Sequence, residues 1–437
     1  MTNQGSRRKL TISLSLTAAA SLAAAPALAQ GAGKIDAADT AWMISATGLV
    51  LMMSVPGLAL FYAGMVRKKN VLATMAQTIA AVILGSLLWL AIGYSLAFDG
   101  TGAVIGTLNR VFLAGVGPTT THPAASTIPE ALFMLYQMTF AVITVALVAG
   151  SVADRMRFSA FLWFVAGWLI LVYVPLAHWV WGGGFLGAAG LLDFAGGTVV
   201  HLNAGVAGLV AAYVMGARKG YGTDNLAPYN LSLAIIGTGL LWVGWFGFNG
   251  GSALAANSRA VFAMLATHLA ACAGALAWMF LEWWTRRKPS VLGIISGVVA
   301  GLGTITPASG FVLPWHAVVI GLIAGSVCFW ACTQLKLQLG YDDSLDVFGV
   351  HGMGGMLGTL LTGVFVTAGI SGGTSGLIEG NPMQVAIQAY GVVATIVWAG
   401  LVTWGLLKAI DLLVPLRVSP QNEVEGLDIS QHGEALQ

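Results

Sequence analysis

Long runs of apolar residues recur along almost the whole chain, and they constrain the fold more than any other feature. Each run has about the twenty residues that an α-helix needs to cross a bilayer. Because only 8% of the 437 residues are charged, a soluble protein of this length would lack polar surface. The pattern predicts an all-α polytopic membrane protein with about eleven transmembrane helices. The predicted spans are residues 41–65, 71–98, 130–152, 158–180, 198–216, 229–248, 260–284, 290–308, 312–335, 345–368 and 384–414.

The basic residues of the connecting segments fall almost entirely on alternate loops. Arg67, Lys68 and Lys69 follow the first predicted span, and further basic residues follow the third, fifth, seventh and ninth spans. The intervening loops hold only Arg110 and Arg259. By the positive-inside rule the first set of loops faces the cytoplasm. The sequence therefore predicts an N-terminus outside the cytoplasm and a cytoplasmic C-terminus.

The two ends of the chain differ from the membrane region. Residues 1–29 resemble a secretory signal peptide, because two arginines and a lysine precede an apolar run that ends at a small-x-small cleavage site. The alternative interpretation is an uncleaved first helix. Residues 30–418 form the predicted membrane domain, and the polar residues 419–437 form a short cytoplasmic tail.

Two segments carry the same pattern around a histidine inside an apolar run. His201 and His351 each begin an H-x-x-x-G-x-x-G motif, in the fifth and the tenth predicted span. Five spans per half give the two halves opposite orientation, so we expect two inverted five-helix repeats plus a final helix. Ionisable groups inside a membrane are costly and commonly mark functional sites. A lone buried histidine is usually structural, but the repeated motif favours one shared site.

The histidine pair restricts the chemistry of such a site. Two neutral imidazoles lying edge to edge share a hydrogen bond and leave an outward donor and an outward acceptor. Such a pair suits a small molecule that both donates and accepts, or a proton relay. Asp193 lies eight residues before His201 and either caps the following glycine-rich turn or stabilises a nearby cation. Asp346 has the same alternatives in the second half, where its cytoplasmic position favours a structural role.

Aromatic residues lie near the predicted outer ends of several spans, where interfacial belts explain most membrane tryptophans and tyrosines. Tyr136 and Phe140 lie one helical turn apart, and Phe248 and Ser252 bring a ring and a hydroxyl together. Aromatic faces beside a hydroxyl hold a small cation, at about 0.5–2 kcal/mol per ring. Phenylalanines below them would exclude water and hydrated ions.

Several other function classes find no support in the sequence. The cysteines Cys272, Cys328 and Cys332 lie inside apolar runs, and the last two have poor spacing for a disulfide. A metal site requires several thiols or imidazoles at ligand spacing, so we expect neither a metal nor a cofactor. An enzyme using the two histidines would need further carboxylates or cysteines. No basic patch indicates nucleic acid binding.

Seven segments carry motifs of a known family: residues 56–64, 177–184, 193–203, 244–249 and 346–352, together with 425–428 and 432–434 in the tail. On these motifs the chain beyond residue 29 resembles the ammonium transporters (Amt/Mep/Rh), most closely the bacterial Amt branch. The resemblance implies an eleven-helix fold with pseudo-twofold halves, a homotrimer with one pore per subunit and a location in the bacterial inner membrane. It also implies a PII-type regulatory protein as a partner at the cytoplasmic face.

The resemblance also implies a role for each candidate site residue. Ammonium would be recruited at an outer site, would pass a phenylalanine gate and would then meet a pair of pore-lining histidines. The bacterial pattern carries phenylalanine where this chain has Tyr136, which adds a hydroxyl to the outer site. The implied residues are Trp181, Ser252, Tyr136 and Asp193 for recruitment, Phe140 and Phe248 for the gate, and His201 and His351 for the pore.

The predicted function is transport of ammonium, without enzymatic activity. The outer site recruits NH4+, the ion loses a proton, and NH3 crosses the pore while the proton is relayed separately. Methylammonium is a second candidate substrate. The alternative is an ammonium sensor that uses the same site and signals through its tail to the PII-type partner.

Overall fold

The structure of the protein is a computed structural model, which describes residues 34–436. The signal peptide predicted for residues 1–29 lies outside the described residues. Within them the chain is almost entirely helical and forms no extended strand. The long helices are α1 (Ala37–Met65), α2 (Lys68–Phe98), α3 (Glu130–Val152), α4 (Phe158–Ala188), α5 (Gly197–Met215), α6 (Leu231–Gly250), α7 (Ser258–Arg286), α8 (Val291–Ile305), α9 (Pro314–Leu339), α10 (Phe348–Phe365) and α11 (Met383–Leu413). Short helices lie at Val111–Leu113, Ala368–Ser371, Leu377–Glu379 and Pro420–Glu425.

The predicted all-α membrane architecture is confirmed, but α8 is shorter than the apolar run 290–308 predicts. It has 15 residues and ends at Ile305, which gives about 22 Å of helix for a hydrocarbon layer of roughly 30 Å. Residues 306–310 continue as buried, non-helical backbone. Such backbone is tolerated at membrane depth only where protein surrounds it. Pro307 O accordingly accepts a hydrogen bond from Phe194 N at 3.0 Å.

Seven of the long helices contain a π-helical turn, and three of these turns hold candidate site residues. His201 lies in the turn Gly197–Leu202, Phe248 in Phe246–Gly250 and His351 in Phe348–Gly352. A π-turn widens the helix locally and is frequent at functional sites. The two histidine motifs therefore match in local backbone as well as in sequence.

Alternate loops meet at the same end of the helix bundle. Arg67 Nε lies 3.0 Å from Asp154 Oδ2, which joins the loops after α1 and α3. Arg218 Nη2 lies 2.7 Å from Asp342 Oδ1, which joins the loops after α5 and α9. We call this end of the bundle the basic face. Arg218 Nη1 also lies 3.5 Å from Asp154 Oδ2, so the loops after α1, α3, α5 and α9, which were predicted to share one side of the membrane, do share one face of the protein.

Helices α5 and α10 cross at their N-terminal halves, and glycines make the close approach possible. A Cβ atom placed on Gly205 would lie 2.2 Å from Gly352 Cα, and one placed on Gly355 would lie 2.5 Å from Leu202 N. Small residues of this kind allow helix backbones to touch inside a membrane. The crossing brings the first turns of the two helices, and so the two histidines, side by side.

The tail packs on the basic face. Leu427 N donates to Asn70 Oδ1 at 2.8 Å, and Ala73 N donates to Asp428 Oδ1 at 2.8 Å. Asp428 therefore caps the beginning of α2, which has no side-chain cap of its own. Glu423, 1% exposed, is ion-paired with Arg417 at 2.8 Å. Four side chains thus fix the tail in place.

Candidate functional site

A cavity of about 280 Å³ opens at the face opposite the basic face, and we call it the vestibule. Its wall includes four of the predicted site residues, contributed by α3, α4 and the segment after α6: Tyr136, Phe140, Trp181 and Ser252. The loop 99–129 also contributes, because Ala124 lines the cavity. Sequence positions more than a hundred residues apart therefore form one concave surface.

The hydroxyl of Tyr136 forms hydrogen bonds at the C-terminal end of α6. It lies 2.8 Å from Phe248 O, 3.0 Å from Gly247 O and 3.3 Å from Ser252 Oγ. Ser252 Oγ also donates to Phe248 O at 2.8 Å. Gly247 O also accepts from Gly251 N, as in a regular helix, whereas both hydroxyls lie against Phe248 O in the π-turn. The Tyr136 hydroxyl thus anchors Phe248 and Ser252.

Phe140 and Phe248 separate the vestibule from the protein interior. Their rings are stacked at a centroid distance of 4.1 Å and an interplanar angle of 22°. Trp181 meets the Phe140 ring edge-on at 5.9 Å. Both phenylalanines are almost fully buried, at 1% and 0% exposed. The stack closes the floor of the vestibule with apolar surface.

The two histidines lie directly below this stack. His201 Nδ1 and His351 Nδ1 are 3.2 Å apart, and the rings are inclined by only 13°. Because each neutral imidazole has one donor and one acceptor nitrogen, one Nδ1 donates and the other accepts. Trp245 stacks on His201 at 5.4 Å and 14°. The pair has the edge-to-edge arrangement that the repeated motif predicts.

The histidines line a narrow apolar cavity, the lumen, with room for about 10 Å³. A cavity of this size lies at the lower limit for holding one molecule as small as water. Phe248 lines the lumen from the vestibule side, and Phe61 lines both the lumen and a third cavity of about 170 Å³ at the basic face. The vestibule, the phenylalanine stack, the lumen and the basic-face cavity therefore form one column through the protein.

Asp193 caps the buried beginning of α5. Its Oδ1 accepts hydrogen bonds from Gly196 N and Gly197 N at 2.7 and 2.6 Å. Its Oδ2 accepts from Thr198 N and Val199 N at 2.8 and 3.2 Å, and from the Thr198 hydroxyl. A buried helix end needs such partners. The backbone carbonyl of Asp193 also accepts from Trp181 Nε1 at 2.8 Å, so the cap is joined to the vestibule wall.

The corresponding cap in the second half is Asp343, which the sequence reasoning missed in favour of Asp346. Asp343 is fully buried, lies eight residues before His351 and accepts from Phe348 N at 2.7 Å. Asp346 instead forms an ion pair with Lys336 at 2.8 Å. The structural role expected for Asp346 thus takes the form of an ion pair. Asp193 precedes His201 by eight residues, as Asp343 precedes His351, and this shared spacing is the sequence signal that could have identified Asp343.

Gln388 of α11 is a second residue that the sequence did not reveal. Its side chain is fully buried and forms two hydrogen bonds with the backbone of Leu192. Leu192 N donates to Oε1 at 2.8 Å, and Nε2 donates to Leu192 O at 2.7 Å. Nε2 also donates to Thr359 O on α10 at 3.0 Å. The last helix therefore holds the segment that carries Asp193 and links it to the helix of His351.

Ion pairs hold the basic face together. Arg218 binds Asp342 through Nε and Nη2, at 2.9 and 2.7 Å. Burial alone would raise the pKa of Asp342, but the hydrogen bonds and charge of Arg218 outweigh it and keep the pKa below its usual value. Arg155 is completely buried and donates to Asp342 O and Ser344 Oγ. The loops of the two halves are thereby fixed to each other beside the basic-face cavity.

One titratable residue borders the vestibule from the loop after α2. His122 stacks on Phe133, a vestibule residue, at 4.6 Å and 15°. Its Nε2 donates to Phe98 O at 2.9 Å, and its Nδ1 accepts from Ala124 N at 3.1 Å. Burial lowers the pKa of His122 below its usual value. In residues 34–436 no three His, Cys, Asp or Glu side chains converge as metal ligands do.

The sequence and the fold are both similar to those of known proteins. A sequence profile described as Ammonium Transporter Family matches residues 41–436. An ammonium transporter of Bacillus subtilis is 48% identical over 91% of this chain and 97% of its own length. The crystal structure of Saccharomyces cerevisiae Mep2 has a TM-score of 0.83 and 37% identity, covering 88% of each chain. A structure entitled Sensor Amt Protein has a TM-score of 0.83 and 29% identity, covering 90% of this chain and 98% of that one. The chain therefore belongs to the ammonium transporter family.

Proposed function

We propose that the vestibule recruits NH4+, that the ion loses one proton there, and that NH3 crosses the lumen to the basic face. The observation that carries the proposal is the column in which stacked phenylalanines separate an aromatic-lined vestibule from an apolar lumen lined by two hydrogen-bonded histidines. The ring faces of Trp181 and Tyr136 attract a small cation. The lone pairs of Ser252 Oγ accept an N–H from it.

The apolar lumen makes splitting of the ion the cheaper route. Moving an intact cation into an unpaired apolar site costs many kcal/mol, because no group there replaces its water shell. NH4+ avoids this cost by giving up H+ and crossing as NH3, which takes a proton back at the basic face. K+ has no proton to give, so the column rejects it. No covalent bond of a substrate other than N–H is made or broken, so we propose a transporter and not an enzyme.

His201 and His351 relay the proton in this proposal, which makes the cycle electrogenic. The shared Nδ1–Nδ1 hydrogen bond provides one link of a proton path through the lumen. The carboxylate of Asp193, at the beginning of α5, places negative charge near the vestibule wall, to which the backbone carbonyl of Asp193 is joined by its hydrogen bond from Trp181 Nε1; this charge favours a cation in the vestibule. In the alternative, the proton stays outside and only NH3 crosses.

The test is the electrical response of protein-containing liposomes to a pulse of ammonium, compared with a pulse of potassium. We expect a current with ammonium alone, lost in His201→Ala and in His351→Ala. An internal pH dye reports NH3 entry independently. NH3 entry without current would contradict the proton relay, and a potassium current equal to the ammonium current would contradict the selectivity argument.

An ammonium sensor that signals through the tail is the second candidate. The docked tail supports it, since Asp428 and Leu427 are fixed to the first turns of α2, and so does the similarity to the protein entitled Sensor Amt Protein. Deleting residues 420–437 separates the two functions. Intact ammonium current with lost regulation would indicate both roles, whereas absence of any current in the full chain would favour sensing alone.

We also propose the setting in which this function operates. The basic face is cytoplasmic, because the loops that form it carry most of the arginines and lysines, and the membrane is the bacterial inner membrane. The assembly is a homotrimer, and a PII-type protein binds at the basic face. Native mass spectrometry of the purified protein tests the trimer, and co-purification with a PII protein tests the partner. Methylammonium pulses test the second substrate.

A further inference from the structure

We infer that Gln137 is a further recognition residue of the vestibule, whose amide oxygen accepts a hydrogen bond from an N–H of the recruited cation. The inference rests on the proposed function, because it concerns the same cavity. It adds a residue that neither the sequence motifs nor the resemblance indicated. Its ligand class is a small cation that carries N–H donors.

The position of Gln137 is the first observation. The residue follows Tyr136 on α3 and lines the vestibule together with Trp181 and Ser252. Its side chain is 8% exposed, and its Oε1 has no hydrogen-bond partner within the described part of the chain. Buried amide groups in proteins are nearly always hydrogen-bonded. An unpartnered buried amide in the wall of a cavity therefore points to a ligand in that cavity.

The second observation is that the neighbouring polar groups already form hydrogen bonds within the protein. The hydroxyls of Tyr136 and Ser252 are both engaged with the carbonyl of Phe248. Trp181 Nε1 donates to Asp193 O. Ser252 Oγ keeps acceptor lone pairs, but among the described residues that line the vestibule the buried acceptor without any hydrogen-bond partner is Gln137 Oε1.

The chemistry of an amide suits the substrate. NH4+ directs four N–H donors towards the corners of a tetrahedron, and ring faces and Ser252 engage only part of them. An amide oxygen is a neutral acceptor with two lone pairs. Because rotation about the last side-chain bond exchanges the oxygen and nitrogen positions, either end of Gln137 can face the cavity. A neutral acceptor recognises the ion without adding a charge that would hold it at the entrance.

The test is the ammonium dependence of the liposome current in Gln137→Met, which keeps the length of the side chain and removes the amide. We expect the half-saturating ammonium concentration to rise roughly tenfold, equivalent to about 1.4 kcal/mol, with the maximal current unchanged. Gln137→Asn, which keeps an amide on a shorter side chain, should give a smaller rise. The matched control is Gln77→Met, because Gln77 is 2% exposed on α2 and lines none of the three cavities.

The outcomes separate this inference from the proposed function. If the unaltered protein gives no ammonium response, the proposed function fails. If it responds normally and Gln137→Met keeps the same half-saturating concentration, the inference is overturned. An equal rise in Gln77→Met also overturns it, since the effect is then not specific to the vestibule. If Gln137→Met does not fold, an unchanged half-saturating concentration in Gln137→Asn overturns the inference instead.

Discussion

Adding one methyl group at Gly205 tests whether the contact between the two histidine helices sets the function of the lumen. In Gly205→Ala the new Cβ would lie 2.2 Å from both Cα and N of Gly352, whereas ordinary contacts begin at 3.4 Å. The difference between these two distances means that α5 and α10 must separate by about 1.2 Å. Overpacking of this kind costs about 1–3 kcal/mol, and a clash of backbone with backbone leaves little room for relaxation.

The separation would act on the histidines, although neither is altered. If the rings move with their helices, the Nδ1–Nδ1 distance grows from 3.2 Å to about 4.4 Å, which is no longer a hydrogen bond. Losing a hydrogen bond worth about 1.4 kcal/mol changes an equilibrium constant by a factor of ten. We therefore expect the ammonium current of Gly205→Ala to fall roughly tenfold or more, and its thermal unfolding temperature to fall as well.

The assay combines the liposome current with thermal unfolding in detergent. The control is Gly239→Ala on α6, where nothing lies within 4 Å of the added Cβ, and both readouts should match the unaltered protein. A folded Gly205→Ala protein with undiminished current would refute the reasoning, because the histidine contact would then be unnecessary for transport. Loss of current in both variants would show that the effect is not specific to the crossing.

Three further changes test other parts of the site. Asp193→Ala removes the acceptor of four buried backbone N–H groups, so the free energy of unfolding should fall by about 3 kcal/mol or more; an unchanged unfolding temperature would contradict the capping role. Gln388→Leu removes both hydrogen bonds to Leu192, and hydrogen exchange at residues 190–196 should accelerate; unchanged exchange would contradict this. Because burial lowers the pKa of His122, the folded loop favours the neutral ring and loses stability as the pH falls below about 6.5. The Ala124 amide should therefore exchange faster, relative to its intrinsic rate, at a pH of about 5.5 than at neutrality, and in His122→Gln this additional pH dependence should disappear.

Hydropathy predicted the long helices well because membrane depth imposes one requirement on every span. It failed at the end of α8, where the apolar run continues to Ala308 but Pro307 lacks the N–H that would continue the helix. The chain leaves the helix at Ile305 and is sheltered by neighbouring helices. Apolar composition reports that a segment is buried, but does not report whether it is helical.

The candidate site likewise contains residues that the sequence predicted and residues that it did not. The repeated histidine motif predicted that His201 and His351 would meet, because symmetry relates two local patterns. Asp343 was overlooked although it stands at the same distance from its histidine as Asp193 does. Gln388 and Gln137 could not be identified, since their roles arise from tertiary contacts that no local motif encodes. The π-turns were equally invisible, because they depend on packing between helices.

The two hydrogen bonds between Gln388 and the backbone of Leu192 have a consequence for folding during synthesis. The segment before α5 leaves the ribosome long before α11 is synthesised, and domains fold from the N-terminus as the chain grows. Until the last helix inserts, Leu192 lacks the amide that binds both its N–H and its carbonyl. A growing chain therefore possesses both histidines before the segment that carries Asp193 is fixed in place, and that part of the fold is completed only after α11 has been synthesised.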